Sequence, residues 1–112
     1  MCSASELQTI LYHVAQAYHR VFGNHIEQIL LYGSYARGTN DEESDIDLVA
    51  IVHGDRRELQ DQLKKVWDIS DLELEYGVII SPTVIPYEEY MKYKADLPYY
   101  RNISQEGIPI AS

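Results

Sequence analysis

The segment that most restricts the fold runs from Asp45 to His53, D-I-D-L-V-A-I-V-H. On a β-strand successive side chains point to opposite faces. Ile46, Leu48, Ala50 and Val52 then share one face, apolar throughout, while Asp45, Asp47, Val49 and Ile51 share the other, which begins with two acids. Ile26 to Tyr32 reads as a second strand, ending at Gly33. Val78 to Ile85 is rich in β-branched residues and reads as a third. Pro82 within it removes a ladder donor, which places this strand at a sheet edge or a bulge.

Helical periodicity fills the spaces between. Ser3 and Glu6 form the pattern of a capping box, and Leu7, Ile10, Leu11, Val14, Tyr18, Val21 and Phe22 recur at helical spacing until Gly23 and Asn24 supply a stop. Arg56 to about Ile69 carries Leu59, Leu63, Val66 and Trp67 on one face, with Asp61, Lys64 and Lys65 outside. Tyr87 to Tyr93 is a short helix candidate, and Leu97 to Gly107 a short helical or irregular segment before an Ile108 to Ser112 tail. The class is α/β (α+β): a small mixed sheet of three or slightly more strands packed against helices. No repeat and no Pro/Gly/Ser-rich linker divides the 112 residues, so residues 1–112 read as one domain.

Charge and composition narrow the partners. Eighteen Asp and Glu against nine Lys and Arg give a net charge of −9, which repels a nucleic-acid backbone and favours encounter with a basic protein. Cys2 is the single cysteine, expected frayed and exposed, which rules out an intrachain disulfide and a cysteine-rich zinc site and fits a reducing compartment. No apolar run is long enough to span a bilayer and no leader pattern is present, so the expected location is the cytoplasm. His13 and His19 are expected on the solvent side of the first helix and His53 at a strand end, and the four histidines, His25 among them, show no ligand spacing. Five of the ten tyrosines lie between Tyr87 and Tyr100. The segment containing Leu97, Tyr99, Tyr100 and Ile103 is either a partner surface or a packed cover on the sheet edge.

Two carboxylates at i and i+2 on a strand lie on one face with Cα atoms ~6.5 to 7 Å apart and can converge on one hard cation. Gly33 lets a backbone approach a phosphate, and a helix starting at Ser34 would aim amides and a hydroxyl at the same anion. Each piece has an ordinary reading too. Asp-x-Asp is common at solvated strand ends, Ser44 can be a turn residue, and Asn40 to Glu43 a loop tip. The order separates the readings: apolar strand, Gly-Ser, a polar connection with Arg37 and Gly38, then Ser-Asp-Ile-Asp opening a second apolar strand.

That order, "GSYARGTNDEESDIDLVAIV", resembles the signature of the minimal nucleotidyltransferases, the single-domain branch of the DNA polymerase beta type superfamily: Gly-Ser, ten residues (35–44), then Asp-x-Asp. Arg37, Gly38, Ser44 and Asp45 stand where the signature has them, and "EYGVIISPTVIP" and "LPYYRNISQEGIPI" extend the likeness more loosely. The resemblance implies the nucleotidyltransferase fold, with Asp45 and Asp47 holding one or two Mg²⁺, Gly33 and Ser34 on the nucleotide phosphates, and Arg37 beside the departing pyrophosphate. It implies attack of an acceptor hydroxyl on the α-phosphorus of ATP. A third acid usually comes from the next strand, where this sequence offers Ile79, Ile80 and Ser81; Glu75 either completes the metal site or is the polar end of the second helix.

Small members of the family resemble antitoxins paired with HEPN-type ribonuclease toxins, which some silence by adding AMP to a tyrosine. The acidic surface is compatible with such a partner, and so is a chain with no room for a substrate-recognition domain. Two alternatives stand beside this reading: a binding protein that masks the toxin without catalysis, and a nucleotidyltransferase acting on a small molecule or an RNA end. The negative charge argues against RNA.

Overall fold

A computed structural model describes residues 3–41, 44–66 and 69–110. The expectations for Cys2, for Glu42 and Glu43 in the loop tip, and for Trp67 fall outside the described residues. Helix α1 spans Ala4–Phe22, and both halves of its capping box form: Ser3 Oγ accepts from the Glu6 amide and Glu6 Oε1 accepts from the Ser3 amide. A short 3₁₀ turn, Gly23–His25, leads into β1 (Ile26–Tyr32). One helical turn, α2 (Ser34–Arg37), follows, then β2 (Ile46–Val52) and α3 (Arg56–Val66). The chain continues through α4 (Ser70–Tyr76), β3 (Ile80–Pro86), α5 (Tyr87–Tyr93), α6 (Pro98–Glu106) and β4 (Ile108–Pro109).

The strands form one mixed sheet in the order β3-β2-β1-β4. β1 is antiparallel to both β2 and β4, and β2 is parallel to β3. Two adjustments to the sequence reading follow. The expected second helix ends at Val66 within the described residues, and Ser70–Tyr76 forms a helix of its own, closed by Gly77 at φ +64°. The tail after Gly107 contributes a short strand, with Ile108 and Pro109 opposite Leu31 and Leu30. Two residues of pairing carry no periodicity of their own, so only the neighbouring β1 reveals them.

The alternation in β2 sorts the core into two layers. Ile46, Leu48, Ala50 and Val52 join Ile29, Leu31, Ile80 and Val84 against α1 and α3. Val49 and Ile51 join Leu30 and Ile85 under Tyr90, Tyr100 and Ile103 of α5 and α6. The Tyr18 hydroxyl, fully buried, shares its proton between the carbonyls of Thr83 (2.8 Å) and Leu48 (3.3 Å), and burial pushes its pKa far up. His19 differs from expectation: its Nε2 is buried and finds no hydrogen-bond partner among the described residues.

β3 is the edge strand anticipated from Pro82, and its register with β2 is unbroken. The Ile46 amide donates to the Ile79 carbonyl, so odd residues turn their backbone groups toward β2 and even residues turn theirs outward. The outward side is shielded in part. Ile80 N–H donates to Glu73 Oε2 (2.9 Å), Pro82 and Pro86 have no amide, and the Val84 carbonyl faces Gln60 Nε2 at 3.4 Å. These are the devices that keep an edge from recruiting another strand.

Candidate active site

The α5–α6 layer covers Val49 and Ile51 but stops short of the start of β2, where Asp45 and Asp47 are partly exposed. The sheet register gives Asp47 two lateral neighbours, Tyr32 on β1 and Ser81 on β3. The cleft is therefore floored by a row of Tyr32, Asp47 and Ser81.

Gly33 joins β1 to α2 at φ +79°, a conformation that L side chains rarely adopt. A Cβ built on Gly33 would lie 2.6 Å from Asp47 Oδ2, so the carboxylate occupies the space a side chain would need. The sequence motif thus has a local meaning: the glycine supplies the turn and makes room for Asp47, fourteen residues further along the chain. The Ala36 and Arg37 amides both donate to the Gly33 carbonyl at 3.1 Å, and Gly38 at φ +75° closes the turn with its amide on the Ser34 carbonyl. Ser44 Oγ accepts from the Asp41 amide (2.9 Å) and donates to the Asp41 carboxylate (3.2 Å), fixing the last turn before Asp45.

Electrostatics mark Asp47. Its pKa is raised, first by partial burial and then by the Asp45 charge, and Arg37 offsets part of this. Asp45 thus sits close enough to disfavour the ionisation of Asp47, with the Arg37 cation within reach. Arg37 is itself held by Glu106 at the end of α6, 3.6 Å away, both side chains being largely solvated.

A family model described as "Nucleotidyltransferase domain" matches residues 16–110, which contain the whole cleft. The chain belongs to the nucleotidyltransferase domain family. It is 38% identical over 82 residues to "Putative protein adenylyltransferase MJ0604" of Methanocaldococcus jannaschii, covering 73% of this chain and 75% of that protein. Its fold is similar to that of a Sulfolobus solfataricus protein described as "a putative nucleotidyltransferase", with a TM-score of 0.52 at 19% identity over 94% of this chain and 76% of the other. A chain of a toxin-antitoxin complex solved with AMP-PNP aligns over 91% of this chain and 70% of its own length, at TM-score 0.49 and 15% identity.

The fold of this family brings Asp45, Asp47, Gly33, Ser34 and Arg37 to one end of the sheet. Glu75 is not among them in this structure. It is exposed on α4, and among the described residues no three His, Cys, Asp or Glu side chains cluster closely enough to hold a metal. Its neighbour Glu73 is engaged on the Ile80 amide. The position beside Asp47 on the next strand, where a third acid would be sought, is Ser81. A pair of carboxylates nevertheless suits Mg²⁺, which takes one or two and fills the rest of its shell with water and phosphate oxygens.

Sequence reasoning did not connect Tyr32 and Tyr99 to this cleft. Tyr99 on the first turn of α6 packs edge-on against Tyr32, with ring centroids 6.1 Å apart, and lines a surface pocket together with Thr83 of β3. Tyr32 carried a usable signal, since it directly precedes Gly33 and stands opposite Asp47 once the two strands are paired. Tyr99 carried none, because only the fold of α6 over β1 places it. Of the tyrosine-bearing segment weighed above, Tyr100 and Ile103 are core, whereas Leu97 and Tyr99 are exposed.

Proposed function

We propose that this chain transfers AMP from ATP to a tyrosine hydroxyl of a partner HEPN-type ribonuclease toxin and thereby neutralises it. The observation that carries the reading is the packing of Asp47 against Gly33, which fuses a carboxylate pair and a phosphate-binding turn into one cleft. Membership of the nucleotidyltransferase family supports the reaction class, and the relative named as a protein adenylyltransferase supports a protein acceptor. In this reading the acceptor hydroxyl is supplied by the partner.

Asp45 and Asp47 would hold Mg²⁺, which would offset the repulsion between the two carboxylates and a polyanionic nucleotide. A cation held by the two carboxylates would supply Lewis-acid stabilisation of the charge that develops during phosphoryl transfer. Gly33 and Ser34 bind the phosphates and hold the α-phosphorus in line with the acceptor. Arg37, released from Glu106, neutralises the departing pyrophosphate.

The test is to incubate the chain and its partner with ATP and Mg²⁺ and weigh both. A mass gain of adenylyl on a partner tyrosine is expected, reduced about a hundredfold or more in rate by Asp45→Asn with Asp47→Asn. No gain on the partner sinks the reading. Ser81 beside Asp47, where a third acid would complete the base, favours a second reading in which the chain masks the toxin sterically. That reading fails if the double mutant still binds the partner yet no longer neutralises it.

A further inference from the structure

A tyrosine of the chain's own sequence lies beside Tyr32, the strand neighbour of Asp47. Tyr99 is 48% exposed, its ring contacts Tyr32 at 6.1 Å and Tyr100 at 5.8 Å, and Tyr32 is the cross-strand partner of Asp47. Tyr99 lines a surface pocket with Thr83, two residues along β3 from Ser81, the other lateral neighbour of Asp47. The Asp47 charge is among the groups the phenol senses, after burial and beside Tyr32. Tyr100, by contrast, is buried with its hydroxyl against Arg56 at 3.1 Å, and Tyr90 is buried in the same layer. The tyrosines of this face therefore differ in kind: Tyr90 and Tyr100 are core, Tyr32 is half-buried opposite Asp47, and Tyr99 is the exposed phenol packed on Tyr32.

From this juxtaposition we infer that Tyr99 is an acceptor for the chain's own nucleotidyl transfer, a self-modification site used when no partner fills the cleft. The inference rests on the transfer chemistry proposed above. The phenolic oxygen of Tyr99 forms a bond to the α-phosphorus of a nucleoside triphosphate, the bond from that phosphorus to the bridging oxygen breaks, pyrophosphate leaves, and the phenolic proton passes to water at the exposed edge of the ring. Tethering supplies the reason it competes. An acceptor held in the same molecule beside the reacting centre has an effective concentration that a free phenol cannot match. The product carries a nucleotide over its own cleft, so modification is self-limiting at one group per chain.

The experiment uses the purified chain with ATP and Mg²⁺, read by intact mass and peptide mapping. One adenylyl group on Tyr99 is expected, absent in Tyr99→Phe of unchanged circular dichroism and absent in the Asp45→Asn, Asp47→Asn double mutant. An unmodified wild-type chain, a group mapped to Tyr32 or any other residue, or a mass gain that survives Tyr99→Phe overturns the inference. A parallel incubation with the partner separates the two ideas. Label on the partner and none on the chain, alone or in the mixture, removes only self-modification; label on neither removes the transfer reading as well.

Discussion

At the scale of single residues, Gly33 and Asp47 constrain each other. Gly33 must hold a positive φ and must also lack a side chain where Asp47 Oδ2 sits. Gly33→Ala is therefore expected to lose about 1 to 2 kcal/mol of stability from the backbone conformation alone and to displace the carboxylate as well. Asp47→Asn acts in the opposite direction on the fold. Because the folded state raises this carboxyl's pKa, the folded protein binds more protons than the unfolded one in the window above the ordinary carboxylate value, and stability falls as pH rises through that window. Asparagine removes the charge and with it that decline. Thermal melts across pH should show Asp47→Asn no less stable than wild type above the window, and Gly33→Ala less stable throughout. Both should lose any melting-temperature gain that Mg²⁺ and ATP give the wild type. A Gly33→Ala variant that keeps this gain would break the link between turn and acid.

At the scale of elements, β3 shows how an edge strand is kept single. Pro82 faces outward with its backbone while its side chain is fully buried, so the ring both fills core and deletes an amide. Pro82→Val keeps the apolar volume and restores the donor. It is expected to leave the fold intact and to produce concentration-dependent self-association in light scattering, with a monodisperse variant counting against edge protection. The same strand shows what sequence patterns can and cannot reveal. Its β-branched run and its proline were enough to identify an edge strand, as the capping box at Ser3 was for α1 and the alternation from Asp45 for the two faces of β2. The parallel pairing with β2 was not legible, because it depends on the crossover through α3 and α4. Helix α4 was not legible as a separate element: the helical spacing from Arg56 runs out near Ile69, and Leu72 and Leu74, two residues apart, carry no helical stripe of their own. Gly33, Ser34, Asp45 and Asp47 were readable because all lie within fifteen residues of chain. Ser81 and Tyr99 reach the same cleft only through tertiary packing.

At the scale of the whole molecule, the charge of −9 is a long-range field acting on any partner before contact. For a basic partner the association rate is expected to fall by about tenfold or more between low salt and ~0.5 M salt, while the dissociation rate changes far less. Stopped-flow or surface-binding kinetics across ionic strength measure both, and a salt-independent association rate would exclude steering. Most helices place their charges outward, and the described helices carry few ion pairs across elements beyond Arg56–Glu89 and Arg37–Glu106. The field is thus a property of the surface as a whole.

The shielded side of β3 also bears on how pairings of this chain with other proteins can change over evolutionary time. With that edge shielded in part, exposed side chains such as Leu74, Ile79, Leu97 and Tyr99 offer a surface for a companion. Side chains on the surface can be exchanged one at a time without unsettling the sheet. Duplicated copies in one genome could then diverge into mutually exclusive pairs while their catalytic cleft stays the same.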